Sequence, residues 1–179
     1  MLKKDNTTKI LEIFFDDPIP ENGFQLREIS RNVKIAPKSV KIHLKNLEKE
    51  RLIIVKKHRV LKYPIYYANR DHEYFKFLKI ISILKRIKES ELVDHLNEKC
   101  APEVIFLFGS CSRGEDTKSS DIDIYLKADQ VSLDLTKYEK KLNRKINLFF
   151  ESDFNLLSKE LKENIVNGIK LKGFLRWKD

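Results

Sequence analysis

Cysteine is scarce in this chain: Cys100 and Cys111 are the only two in 179 residues. That argues against a disulfide-stapled secreted framework and for a reducing cytoplasm. The four histidines, His43, His58, His72 and His95, have no Cys or His neighbour at zinc-ligand spacing, so they read as ordinary surface or packing residues. Long apolar runs are also missing. The most apolar stretch, Phe77 to Leu84, is broken by Lys79 and is far too short to cross a bilayer. Lys3 and Lys4 could open a signal peptide, but Asp5, Asn6, Thr7 and Thr8 follow where an apolar region is needed. There is no repeat and no low-complexity segment. These absences lead to the expectation of a soluble cytoplasmic protein that does not engage a membrane.

What the chain has in quantity is charge, unevenly spread. Residues 1–70 hold 16 Lys+Arg against 8 Asp+Glu, residues 71–100 hold 6 and 6, and residues 101–179 hold 14 and 13. Of the net +9, +8 therefore lies in the first 70 residues. A basic segment joined to a near-neutral one points to a polyanionic partner for the first only, unless the lysines merely form a solvated face.

Apolar periodicity predicts three helices near the start, over 8–15, 25–32 and 37–50, the first capped from Asn6 to Thr8 and the third opened by Pro37. Two β-rich runs, 52–55 and 63–67, follow, joined by Lys56, Lys57, His58 and Arg59. Residues 71–88 predict a long helix with apolar positions on more than one stripe, which requires burial on two sides, against both domains or across a homodimer. A further helix is expected over 90–99. The pattern then changes: Val104 to Phe108 is a continuous apolar run, Ile122, Ile124 and Leu126 alternate with Asp121, Asp123 and Tyr125, and Ile146 to Phe150 forms a third strand. Helices are expected over 133–142 and 156–168. The resulting division is residues 1–70, connecting helices 71–100, and a small α/β domain 101–179 with a mixed sheet, an α+β two-domain chain.

Within the third helix, Lys38, Lys41 and Lys45 recur at spacings of three and four, on the face opposite Val40, Leu44 and Leu47. Long cations there reach phosphates and base edges, and Ser39 near the helix start can bond a phosphate. Lys56, Lys57, Arg59 and Lys62 in the hairpin add a second contact. The run from Leu26, Arg27, Glu28 and Ile29 to Leu52 and Ile53 resembles the winged helix-turn-helix regulators of bacteria and archaea. The resemblance implies double-stranded DNA as partner, with protein binding as the other known use of such domains.

A second group of residues sits where the apolar strand ends. Gly109 lets a phosphate approach the backbone, Ser110 and the N–H groups after it can cradle that phosphate, and Arg113 can neutralise it or brace the loop. Asp121 and Asp123, two apart on a strand, point the same way with Cα atoms about 7 Å apart. Two convergent carboxylates suit magnesium, which bridges triphosphate oxygens. The run FGSCSRGEDTKSSDIDIYL resembles the minimal nucleotidyltransferase domains of the DNA polymerase β superfamily, whose relatives include antitoxins paired with HEPN ribonuclease toxins. The resemblance implies Asp121 and Asp123 as catalytic metal ligands, Gly109, Ser110, Arg113 and Ser120 as nucleotide-binding residues, and magnesium with a nucleoside triphosphate, ATP above all, as cofactor or ligand.

The family places a third carboxylate on the next strand, where this chain has Asn147. Asparagine cannot act as a base and attracts magnesium less than a carboxylate. Glu151, four residues on, is about 13 Å away along a strand, so only a bulge or register shift would bring it in. Three functions follow: a DNA-binding regulator that senses nucleotide, an antitoxin that neutralises a HEPN-type partner by binding, or an active enzyme transferring AMP to a protein hydroxyl or a small molecule. Asn147 favours the first two.

Overall fold

The structure is a computed structural model that describes residues 5–176. The Met1 to Lys4 segment, weighed above as the start of a leader, lies outside them. The chain divides into two compact units, one ending at Lys79 and one beginning at Ile80.

The first unit holds helix α1 (Asn6–Asp16), strand β1 (Phe24–Gln25), helices α2 (Leu26–Val33) and α3 (Pro37–Lys49), and strands β2 (Ile53–Lys57) and β3 (Pro64–Ala68). The cap of α1 is Asp5 rather than the expected Asn6 to Thr8: its carboxylate accepts the Thr8 N–H at 2.7 Å. That bond holds the Asp5 carboxyl below its ordinary range. Lys34 ends α2 in the left-handed region at φ 55°, and Pro37 opens α3. The three helices pack through Ile10, Phe14, Ile29, Val40, Leu44 and Leu47, all essentially buried. β1, too short to leave a periodic signal, pairs with β3, and β3 pairs with β2, all antiparallel.

Helix α4 (Glu73–Ser90) supplies Phe75 to the first core and Ile83 and Ile87 to a second, which accounts for its apolar residues on more than one stripe. Tyr74 and Phe77, by contrast, are half exposed and stacked on each other at 6.2 Å.

The second unit continues with α5 (Leu92–Cys100), β4 (Val104–Phe108), the single-turn α6 (Gly109–Arg113), β5 (Ile122–Leu126), α7 (Thr136–Leu142), β6 (Ile146–Phe150), a 3₁₀ turn at Phe154–Leu156, α8 (Lys159–Val166) and β7 (Ile169–Gly173). The sheet order is β6-β5-β4-β7, with β5 and β6 parallel and the other pairs antiparallel, a mixed sheet. α7 is the crossover that a parallel pair requires. It begins at Thr136, later than expected, because the Asp134 carboxylate accepts the Thr136 N–H and turns the chain there. Both faces of the sheet are covered. Ile105, Leu107, Ile122, Ile124 and Leu126 pack with residues of α4, α5 and α7, while Val104, Phe106, Phe108 and Tyr125 pack with Phe154 and Ile165. Burial on both faces is why Val104 to Phe108 reads as unbroken apolar sequence. Among the described residues, no helix is long and apolar enough to cross a membrane.

Candidate functional site

Alternation along β5 fixes where its carboxylates go. Ile122 and Ile124 face the α4 side, so Asp121 and Asp123 face the other side. Phe108, the last residue of β4, pairs with Asp123, which sets Gly109 beside that carboxylate. Gly109 has φ +71°, and a Cβ built on it would lie 2.4 Å from Asp123 Oδ2. Only glycine leaves room for the carboxylate where it stands. The loop after Gly109 is tied down at several points: Ser112 Oγ donates to the Gly109 carbonyl at 2.8 Å, and the Cys111 thiol donates to the Asp121 carbonyl at 3.3 Å.

The third position of the cluster is Asn147. β5 and β6 pair residue for residue from Ile122–Ile146 to Leu126–Phe150, which sets Asn147 opposite Asp123. Its Nδ2 donates to Asp121 Oδ2 and to Asp123 Oδ1, at 3.1 Å each. The amide therefore places a partial positive charge between two carboxylates, where a cation would otherwise hold them together. Burial pushes the Asp123 carboxyl above its ordinary range and the neighbouring Asp121 charge adds to this, while the Asn147 hydrogen bond pulls it back. Glu151 does not join the cluster. The pairing has no bulge, the Glu151 N–H bonds the Leu126 carbonyl, and the Glu151 carboxylate accepts the Asp153 N–H.

The remaining residues singled out in this segment are spread around the cluster. Ser110 is half-buried beside Gly109, on the first turn of α6. Arg113 is exposed and its Nε pairs with Glu115 at 2.9 Å, so in this structure it braces the loop. Ser120 Oγ accepts the Thr117 N–H at 2.9 Å, closing a turn just before Asp121. A cleft of about 510 Å³ opens beside Asp121, lined among others by Lys118, Ser119, Ser120, Lys140 and Lys145.

One positioning device escaped the sequence reading. Arg144 Nη2 pairs with Asp116 at 2.8 Å, with the two side chains 5% and 3% exposed. Arg144 Nη1 also donates to the carbonyls of Thr117 and Ser120, at 2.6 and 3.0 Å. The loop that leads into Asp121 thus hangs on one buried guanidinium supplied from the turn between α7 and β6. No local pattern announces a pair so far apart in sequence. Removing one partner strands the other charge, so Arg144→Met is expected to cost about 3–5 kcal/mol of stability. Asp116→Asn added to it should recover part of the loss, as read by urea denaturation.

In the first unit, Lys38, Lys41 and Lys45 are exposed along α3, and Ser39 is half-buried. Lys56 Nζ lies 5.2 Å from the centre of the Tyr67 ring, and Lys62 Nζ donates to the Arg59 carbonyl at 2.9 Å. Lys57 and Arg59 extend from the same hairpin, and its turn is held by His58 Nδ1, which accepts the N–H groups of Val60 and Leu61.

Two carboxylates with a neutral amide fit one hard cation better than two. Among the described residues no group of three or more His, Cys, Asp or Glu side chains could hold a metal ion. A family model described as polymerase beta, nucleotidyltransferase matches residues 79–173, just over half of the chain, and spans the whole sheet of the second unit. No curated protein matches the chain significantly.

Proposed function

The chain belongs to the polymerase beta nucleotidyltransferase family, and from that premise we propose that it is a DNA-binding regulator, a transcription regulator or antitoxin, whose second unit binds magnesium and a nucleoside triphosphate without rapid turnover. The observation that carries this reading is the Asn147 amide donating to both Asp121 and Asp123. Asp121 and Asp123 are the residues that hold the metal, Gly109 and Ser110 receive the phosphates, and Arg113 and Ser120 stand at the rim of the same site. Magnesium, when bound, neutralises triphosphate charge. A neutral amide in the third position accepts no proton from an acceptor hydroxyl, which leaves binding in place and slows transfer.

The DNA half of the proposal rests on the first unit: helices α1 to α3, a β hairpin as wing, and most of the chain's positive charge. The order is that of a winged helix-turn-helix, with α3 as the reading helix and Lys38, Ser39, Lys41 and Lys45 on the groove side, and with Lys56, Lys57, Arg59 and Lys62 on the wing. The stacked, half-exposed Tyr74 and Phe77 offer a surface for a second copy or for a HEPN-type partner. The transfer reading, AMP from ATP to a protein hydroxyl or a small molecule, draws its support from the family itself and from the convergent Asp121 and Asp123.

Labelled ATP with magnesium, followed with and without a co-encoded partner, separates these readings. Binding without label transfer is the expected result. Label on the partner establishes the enzyme instead. For DNA, affinity should fall steeply with salt, and Lys41→Ala or Lys45→Ala should lower the slope of log K against log salt by about one. Absent or salt-independent binding sinks the DNA assignment.

A further inference from the structure

One apolar residue stands among the lysines of α3. Ile42 is 58% exposed, a large fraction for a β-branched apolar side chain in the middle of a helix. At 100° per residue it shares a face with Lys38, Lys45 and Lys49, respectively four, three and seven positions away, and that face lies opposite the buried Val40, Leu44 and Leu47. Among the described residues none of these lysines has a carboxylate partner. The α3 backbone is held independently of Ile42, by the buried stripe and by Pro37 at its first turn. A solvated lysine face gains nothing from an isoleucine at its centre, whereas a face laid in a major groove does. There the cations take the phosphates on either side, and an apolar tip between them meets base edges. The one apolar group on those edges is the 5-methyl of thymine.

We propose that Ile42 is a specificity-determining residue that reads a thymine methyl in the major groove; this rests on the DNA-binding reading of the first unit. The lysines supply affinity indifferent to sequence, and Ile42 makes one position of the site prefer T·A. The occupant is duplex DNA, to which the lysines around Ile42 and the excess positive charge of residues 1–70 are complementary.

The test uses the full chain. Preferred duplexes are selected from a random 24-base-pair pool, and each thymine of the winner is then replaced singly by deoxyuridine, which removes only the methyl. Wild-type affinity should fall about fourfold at one position, the value of one buried methyl. Ile42→Ser should bind the thymine duplex about as weakly as wild type binds the uracil one, and should not distinguish the two, with its melting temperature and salt slope unchanged. Specific binding with no uracil-sensitive position, or an Ile42→Ser protein that keeps the preference, overturns the inference and leaves DNA binding standing. If no duplex is bound at any salt, both fall.

Discussion

Asn147→Asp is expected to raise nucleotidyl transfer by about 10²–10⁴-fold over the wild-type chain, scored as pyrophosphate release and label transfer from α-labelled ATP in magnesium. The aspartate restores a proton acceptor and a third ligand at a position whose side chain already reaches both Asp121 and Asp123. The same change removes two hydrogen bonds to carboxylates and sets a third negative charge among them. Without a cation the variant should therefore be less stable than the wild type, by about 1–2 kcal/mol, and magnesium should raise its melting temperature more than that of the wild type. The pH dependence has a definite sign. The Asp123 carboxyl is already raised in the folded protein by burial and by Asp121, and the variant loses the Asn147 bond that lowers it. A carboxyl with a raised folded-state value binds its proton more tightly folded than unfolded. Its contribution to stability is full below the ordinary carboxylate range and is lost as pH rises through the raised value. The metal-free variant should gain stability on mild acidification, and more so than the wild type. A variant that gains neither transfer activity nor a stronger magnesium response would show that Asn147 is not what limits the site.

Gly109→Ala should weaken nucleotide binding severely while leaving the chain folded. Two effects combine at this residue. The backbone at φ +71° costs a residue with a Cβ about 1–2 kcal/mol. The Cβ also meets Asp123 Oδ2 at 2.4 Å, so the carboxylate itself must move, away from the position in which Asn147 holds it. Asp123 ends in a short side chain that can swing aside, which keeps the stability loss small and makes the functional loss large. We expect ATP affinity to drop at least tenfold and the melting temperature by only several degrees. Thermal melts of Gly109→Ala, Asp123→Ala and the double variant check the mechanism. The double variant should be more stable than the sum of the singles predicts, because the clash is gone. Strict additivity would mean that the glycine serves only its own backbone.

These results depend on features of unequal visibility in the sequence. β4 is found at the expected residues because a strand covered on both faces writes itself as an unbroken apolar run, Val104 to Phe108, whereas β6, a half-exposed edge strand, is marked by apolar residues on either side of Asn147. β7 left no such signal. Ile169–Gly173 is a mostly exposed edge strand with lysines at alternate positions, and it is a strand because β4 offers it a partner. The spacing of Gly109 from Asp123 was legible, since glycine at a strand end and alternating acids are local patterns. Asn147 was legible as a missing carboxylate, but not as a donor to two carboxylates at once, which depends on the parallel register of β5 and β6. The Arg144–Asp116 pair was invisible for the same reason: nothing in either segment refers to the other until the crossover through α7 brings them together.

Titration of ATP into the full chain by calorimetry, with magnesium or with EDTA, decides whether Asp121 and Asp123 hold a magnesium-nucleotide. The expected result is saturable binding that needs magnesium, that is lost in Asp121→Ala and Asp123→Ala, and after which the nucleotide is recovered essentially as intact ATP. Binding indifferent to magnesium and to both carboxylates, no binding at all, or rapid release of pyrophosphate that Asp123→Ala abolishes would contradict it.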